Sequence, residues 1–255
     1  MAAEYITFKI SPENLTLLLS KIKDLTKIDS RIILKFEPTN LLMFSFVGDS
    51  FKNIHAFKNY VFNIDDVMKL KEPIEKTMVF IVKDGKKLYR TLENIVDYNK
   101  EIIGKIHFND ENYVNFIHLK NEKMDIKVFG TDPIAIGKEI SIEDINYLMD
   151  IENSIFNFRV EKYDFDKIRK TGLIENELDS VLYIYLKDKK LSIGETKWSI
   201  NICDVENDNL TLALPKKYFN TINPSTFIDI YVFDGFILCK YDECNLMIIL
   251  ETGIN

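Results

Sequence analysis

The chain has few cysteines and no long apolar run, and each shortage excludes a class of protein. Only three of its 255 residues are cysteine, an odd number that cannot make a complete disulfide framework. No apolar run approaches the roughly 20 residues of a membrane-spanning helix. Residues 1–5 lack the basic segment and apolar stretch of a signal peptide. We therefore expect a protein with no membrane partner that remains where it is made, in the cytoplasm, or in the host cytoplasm if it is viral.

The few cysteines and histidines also argue against a metal centre. Each cysteine lies in or beside an apolar, strand-like run, and the three are Cys203, Cys239 and Cys244. None of the three histidines has metal-ligand spacing with them. A metal site is conceivable, but reduced and buried thiols are the stronger prediction.

Catalytic motifs are missing as well. The sequence contains no GxGxxG, no GxxxxGK(S/T), no HExxH and no GxSxG. The acid pairs Asp65-Asp66 and Asp164-x-Asp166 are compatible with metal ligands, but both stand where helices begin and there complement the helix dipole. We predict that the protein is not an enzyme and needs no cofactor or metal ion.

What the chain does have is an internal repeat. Residues 78–92 and 210–222 each run from an apolar, strand-like stretch through a Lys-Lys pair into a short amphipathic segment, and three strand-like runs follow each of them. Each half fits the order strand, helix, several strands, helix, three strands. Mostly antiparallel sheet covered by two helices on one face is the natural packing for this order. We predict an α+β fold with two similar domains, at 1–130 and 144–255, joined by a linker at 131–143.

The sequence carries signals for four helices. Four helices are predicted at 11–27, 85–98, 164–170 and 215–222, with Ser11 as the N-cap of the first and Pro12 at its first helical position. Gly172 is expected to end the third helix and Pro224 the fourth. The stretch 63–76 carries only a short helical signal, at 63–68, and is longer than the repeat leads us to expect.

The net charge of −7 argues at first against nucleic acid, but the charges are unevenly distributed. Four segments that contain the helices, 11–27, 83–100, 162–170 and 215–223, hold fourteen basic and seven acidic residues, whereas the rest of the chain holds 19 basic and 33 acidic ones. The basic residues that we predict to face DNA are Lys21, Lys23, Lys27, Lys83, Lys86, Lys87, Arg90, Lys167, Arg169, Lys170, Lys216 and Lys217. A positive helical face can contact phosphates without reading bases. The plainer alternative is that lysines coat the solvated faces of amphipathic helices.

On these features the chain resembles DNA sliding clamps, the processivity factors of replicative polymerases, and most of all those of large tailed phages. The likeness covers nearly the whole chain as an order of elements. It is sharpest over 181–251, where VLYIYLKDKKLSIG, LTLALPKKYFNTINPSTFIDIYVF and CKYDECNLMIILE follow the family's succession of strand, helix and strands. The resemblance implies a DNA-clamp fold, with two helices of each domain on the inner face and three subunits in a pseudo-sixfold ring. Such a ring would encircle double-stranded DNA and tether the replicative polymerase without doing chemistry.

The resemblance also implies an apolar pocket for peptide tails of the polymerase and the clamp loader. The positions that match it are Phe46, Phe51, Ile134, Ile136, Phe236, Ile249 and Glu251. Anchoring of the core or of the linker explains each of these residues equally well.

Two other functions remain open from the sequence. A monomeric, clamp-like accessory factor would bind DNA on an open basic face, because ring closure depends on edge strands that the sequence does not reveal. A viral structural protein with the same order of elements is the third possibility, although it would not require lysines concentrated on helices.

Overall fold

The computed structural model describes residues 5–48, 54–97, 100–131, 150–174, 181–205 and 210–250. The chain divides into two compact units. Unit 1 comprises Met1–Asn53 and Lys58–Glu139, and unit 2 comprises Ile54–Phe57 and Ile140–Asn255. The predicted linker at 131–143 lies almost wholly outside the described residues, so the boundaries predicted for the two domains stay a prediction.

Unit 1 combines two sheets with three helices. Its strands are β1 (Tyr5–Ile10), β2 (Ile32–Phe36), β3 (Asn40–Gly48), β4 (Ile54–Asn63, counted with unit 2 up to Phe57), β5 (Lys69–Leu70), β6 (Met78–Val82), β7 (Ile102–Phe108), β8 (Val114–Lys120) and β9 (Asp125–Phe129). Its helices are α1 (Pro12–Leu25), α2 (Ile64–Val67) and α3 (Gly85–Glu93). One sheet has the order β5-β1-β7-β8-β9 and the other the order β4-β3-β2-β6. The apolar faces of α1 and α3 close the core above these sheets.

The sequence signals for α1 are confirmed. Ser11 is the N-cap, and its hydroxyl accepts a hydrogen bond of 3.1 Å from the backbone N–H of Asn14. Pro12 occupies the first turn, where its missing N–H costs nothing. The apolar stripe is buried as its three- and four-residue spacing requires, through Leu15, Leu18, Leu19, Ile22 and Leu25.

Unit 2 also combines two sheets with helices, but the described residues form two helices where unit 1 has three. Its strands are β10 (Phe156–Glu161), β11 (Val181–Lys187), β12 (Lys190–Glu195), β13 (Trp198–Asp204), β14 (Leu210–Pro215), β15 (Phe227–Phe233), β16 (Phe236–Tyr241) and β17 (Cys244–Ile249), and its helices are α4 (Lys162–Ile174) and α5 (Lys216–Phe219). The strands of unit 2 lie in the orders β10-β15-β16-β17 and β13-β12-β11-β14. Cys239 and Cys244 are buried, Cys203 is only partly buried, and none of the three forms a disulfide.

The two units share one pairing scheme, as the internal repeat predicts. In unit 1 the first strand, β1, pairs antiparallel with β7, which continues into β8 and β9. In unit 2 the first strand, β10, pairs in the same way with β15, which continues into β16 and β17. The strand before the second helix also matches, because β6 pairs with β2 and β14 pairs with β11.

Three predicted helix ends were wrong. Helix α3 ends at Glu93, five residues early, because the Asn94 side chain bonds the carbonyl of Arg90 at 3.0 Å and turns the chain. Gly172 lies inside α4 instead of ending it. A Cβ there would stand 3.2 Å from Glu195 and 3.3 Å from Lys216, so close packing accounts for this glycine. Helix α5 is a single turn that ends at Phe219.

Candidate nucleic-acid interface

The two helices of unit 1 that carry lysine pack side by side. The backbone N–H of Gly85, at the start of α3, donates a 2.7 Å hydrogen bond to the carbonyl of Ser30 in the segment that follows α1. A Cβ at Gly85 would lie 2.5 Å from Ile32 and 2.8 Å from Thr26, so only glycine permits this approach. Leu88 and Leu92 are buried beneath α3. Packing of the apolar faces therefore turns the polar faces of α1 and α3 to solvent.

The solvent side of this helix pair is basic. Its exposed members are Lys23, Lys27, Lys83, Lys86, Lys87 and Arg90, and Lys21 is half-buried. Among the described residues, no carboxylate forms an ion pair with Lys83, Lys86, Lys87 or Arg90. Asp84 lies beside them, but its carboxylate caps α3 by accepting a 2.9 Å hydrogen bond from the backbone N–H of Lys87. We call Lys23, Lys83, Lys86, Lys87 and Arg90 the basic helix face of unit 1.

One buried ion pair anchors α1 to the sheet below this face. The carboxylate of Asp24 contacts the ammonium of the fully buried Lys58 and accepts a 2.5 Å hydrogen bond from the hydroxyl of Tyr60. Lys27 bonds the same carboxylate at 2.8 Å. Burial on its own raises the pKa of Asp24, but the charge of Lys58 and the hydrogen bonds from Lys27, Lys58 and Tyr60 outweigh it, so the pKa lies below its usual value.

The helices of unit 2 also lie together. The rings of Phe165 on α4 and Phe219 on α5 are 5.1 Å apart and both are buried. The rest of the surface of these two helices is basic. It carries the exposed residues Lys167, Lys170 and Lys217 and the half-buried Arg169. Among the described residues only Lys167 of these four forms an ion pair, with Asp164 at 3.8 Å. These four residues are the basic helix face of unit 2.

Lys216 does not belong to that face. Its ammonium contacts the buried carboxylate of Glu195 and donates a 3.0 Å hydrogen bond to the carbonyl of Gly172, inside α4. Its side chain is only 16% exposed. The Lys216 ammonium therefore neutralises a buried carboxylate, which makes it less available to phosphates than the other lysines of the prediction.

Tyrosine rings under the lysines were missed by the sequence analysis. The ammonium groups of four lysines lie over rings, with distances to the ring centroids of 4.8 Å for Lys21 and Tyr60, 5.3 Å for Lys23 and Tyr89, 4.0 Å for Lys167 and Tyr163, and 4.6 Å for Lys217 and Tyr218. Tyr163 is 70% exposed on the first turn of α4. Its four-residue spacing from Lys167 was the available signal, since such positions are neighbours on a helix.

The predicted peptide pocket is only partly described. Phe51, Ile134, Ile136 and Glu251 lie outside the described residues. In unit 1, Phe46 is buried, and the guanidinium of Arg31 lies 4.9 Å from its ring. In unit 2, Phe236 and Ile249 are paired across β16 and β17, and both are half-exposed. The structure therefore brings Phe236 and Ile249 together within unit 2.

The acid pairs considered as alternative metal ligands lie at the starts of helices, as the sequence predicts. Asp65 and Asp66 stand in the first turn of α2, and Asp164 in the first turn of α4. Among the described residues no cluster of histidine, cysteine and acidic side chains could hold a metal ion. No helix in the described part of the chain is long and apolar enough to span a membrane.

Solved structures with the same fold are DNA sliding clamps. The chain superposes on the beta subunit of DNA polymerase III from Borrelia burgdorferi with a TM-score of 0.67 at 16% identity, over 97% of this chain and 65% of that one. For the Helicobacter pylori beta clamp bound to a DNA ligase peptide the TM-score is 0.68 at 11% identity, over 99% and 67%. For the proliferating cell nuclear antigen of Entamoeba histolytica it is 0.63 at 11% identity, over 99% and 100%.

These superpositions define the fold. The chain has the DNA-clamp fold, and it spans about two thirds of the length of the bacterial beta subunits and the full length of the Entamoeba protein. No protein-family model matches the chain. No curated protein matches it either. The expected likeness to phage clamps in particular stays a prediction.

Proposed function

We propose that this protein is a sliding clamp that encircles double-stranded DNA and tethers a replicative polymerase. One observation carries the proposal: in a chain of net charge −7, both units of a DNA-clamp fold present a basic helix face. Phosphates of a duplex need positive charge but no base-specific partner. An acidic remainder disfavours contact with DNA elsewhere on the chain.

The proposed mechanism needs no chemistry. Lysine side chains on helices contact phosphates singly and exchange them readily, because each ammonium is a point charge on a flexible stem. A chain closed around the duplex cannot dissociate even when these contacts break, so it slides. A polymerase bound to the chain then remains at the primer end.

Ring closure requires a partner for exposed sheet edges. In unit 1 the five-stranded sheet ends at β9, and in unit 2 the four-stranded sheet ends at β13. Unpaired edges of this kind favour pairing with another chain. We propose that β9 of one chain pairs with β13 of the next, a head-to-tail contact that closes after three copies, with six units in the ring.

Light scattering behind size exclusion tests the ring. We expect a mass near three times 29.9 kDa, independent of concentration over a wide range. A persistent monomer at every concentration would contradict ring closure and leave an accessory factor with an open basic face. A proline at Lys127 is the matched test of the edge. Gly130 donates its backbone N–H to Asn115, so in this register Ile126 and Val128 bond β8 and the N–H of Lys127 faces the free edge. Because proline lacks that N–H, the variant should not form the ring, and it must keep the wild-type melting temperature.

We also propose that peptide tails of the polymerase and loader bind near Phe236. The ring of Phe236 is stacked on Phe233 at 4.5 Å, and the two residues flank a tight turn in which Gly235 has φ of 87°, a value that favours glycine. Half-exposed aromatic and aliphatic side chains beside each other suit an apolar anchor residue of a peptide.

Changing Phe236 to Asp is expected to abolish binding of a peptide from the polymerase tail. The charged side chain would have to be desolvated by the peptide's apolar anchor, so we expect a roughly tenfold or greater rise in Kd by fluorescence anisotropy. Tyr163→Asp is the control, since Tyr163 is also aromatic and 70% exposed in unit 2, but lies on α4. Unchanged binding by the Phe236 variant would place the peptide site elsewhere.

A further inference from the structure

An aromatic ladder crosses the solvent face of the five-stranded sheet of unit 1. Tyr5, His107, Phe116 and Phe129 stand opposite one another on β1, β7, β8 and β9. Their ring centroids are successively 5.3, 4.1 and 5.6 Å apart, and the middle pair is stacked at 19°. The ladder is open at both ends, because Tyr5 is 46% exposed and Phe129 is 68% exposed.

Lysines accompany the rings. The ammonium of Lys105 lies 4.3 Å from the Tyr5 centroid, and that of Lys127 lies 5.4 Å from the Phe116 centroid. Among the described residues no carboxylate forms an ion pair with either of them. The one acid of this face within the strands, Asp125, is bonded to His118 at 2.6 Å. The face is therefore both aromatic and positively charged, in a chain that is acidic overall.

His107, one of the two middle rings of the ladder, has a pKa below its usual value. Burial lowers this pKa first, and Coulombic interaction with His118, Lys105 and Lys127 lowers it further, which favours the neutral imidazole. A neutral imidazole stacks on Phe116 as an aromatic ring and keeps the ladder continuous.

The fold does not require this ladder, as unit 2 shows. On the solvent face of β10 and β15, towards the other end of the strands, Arg159 forms a bidentate pair with Asp229, at 2.7 and 2.9 Å. The guanidinium also covers the ring of Phe227 at 3.6 Å. Unit 2 thus neutralises its exposed cation on this face, whereas among the described residues no carboxylate pairs with Lys105 or Lys127 of unit 1.

We propose that this aromatic ladder, Tyr5, His107, Phe116 and Phe129 with Lys105 and Lys127, binds single-stranded nucleic acid. Open rings on adjacent strands are platforms for unpaired bases, and the lysines between them are positioned for the phosphates. A duplex keeps its bases stacked on each other and offers only phosphates, so it gains nothing from the rings. Edge pairing of β9 uses backbone groups and leaves the solvent face of the sheet accessible.

Anisotropy of fluorescein-labelled oligo(dT) at low salt tests the proposal on the full chain. We expect the wild type to bind, and the double variant Tyr5→Ser with Phe129→Ser to bind about tenfold more weakly or worse, because the bases lose their stacking partners. Ile103→Ser is the matched control, since Ile103 is 50% exposed on the same face but is not a ring. Circular dichroism and the melting temperature must match the wild type for all variants.

Two charge-reversal variants distinguish binding at this surface from binding at the basic helix faces. Reversing Lys86, Lys87 and Lys217 should leave oligo(dT) binding within about twofold while duplex binding falls, and reversing Lys105 and Lys127 should do the opposite. The proposal is overturned if the wild type does not bind oligo(dT), or if the serine double variant binds it as well as the control does. It is also overturned, in favour of an acidic protein partner, if a Glu- and Tyr-containing peptide binds this face more tightly than oligo(dT).

Discussion

Reversing the charges of Lys86, Lys87 and Lys217 together is expected to weaken binding to duplex DNA at least about a hundredfold at roughly 0.1 M salt. Each lysine that contacts a phosphate releases a counterion, so three lost contacts remove about 2.7 from the slope of log K against log salt. Replacement by Glu adds repulsion to this loss. Anisotropy titrations on a labelled duplex over a range of salt concentrations measure both quantities, and stimulation of processive synthesis should fall with them.

A matched variant shows whether the position of the lysines or the net charge of the protein matters for DNA binding. Lys76, Lys187 and Lys190 are exposed and lie outside the helices, so reversing them changes the net charge by the same amount. We expect this control to keep most of the affinity and the full slope. Equal losses in the two variants would show that the protein's overall charge, and not the basic helix faces, governs DNA binding.

Changing Asp24 to Asn is expected to lower the free energy of unfolding by about 3–5 kcal/mol, the largest stability effect that we predict. The substitution removes the carboxylate that contacts the fully buried ammonium of Lys58. It also weakens the hydrogen bonds that Tyr60 and Lys27 make to the carboxylate. Chemical denaturation at neutral pH, with unchanged slope against denaturant, measures the loss.

A double variant provides the control for Asp24. Changing Asp24 to Leu together with Lys58 to Met removes both charges and should recover much of the lost stability, because apolar replacements of buried pairs are often neutral. If the double variant is as unstable as Asp24→Asn, then packing, and not the uncompensated charge, explains the effect.

The Asp24–Lys58 ion pair also predicts that the free energy of unfolding falls at acidic pH. The pKa of Asp24 is lower in the folded protein than in the unfolded chain, so its contribution is fully present above about pH 4 and is lost as the pH falls through the folded-state pKa. The difference in stability between the wild type and Asp24→Asn should therefore shrink at acidic pH. A difference that stays constant through the whole acid unfolding transition of the wild type would contradict this assignment.

Much of the fold follows from local patterns in the sequence. Helix α1 could be predicted with its cap because Ser11 and Pro12 precede a stripe of leucines with helical spacing, and neither signal depends on distant residues. The order of strands was predictable for the same reason. The ends of α3, α4 and α5 were not. Gly172, for example, was expected to end α4 but packs against Glu195 of a distant strand and lies inside the helix.

Part of the candidate site could likewise be predicted from the sequence, and part could not. The concentration of lysine on helices is a property of the sequence, and it led to the basic helix faces without knowledge of the packing. The exclusion of Lys216 could not be foreseen, because Glu195 is 21 residues away and only the sheet brings the two charges together. The aromatic ladder was equally invisible, since its four rings come from four strands spread over more than a hundred residues.

The sequence by itself determined the duplicated order of elements, the α1 cap and the uneven distribution of charge, because propensity, spacing and charge act over a few residues at a time. Only the tertiary structure decided which lysines face solvent, which cation neutralises a buried carboxylate, and which rings meet across the sheet. Those outcomes depend on register and burial, and both arise when distant strands pair and exclude water.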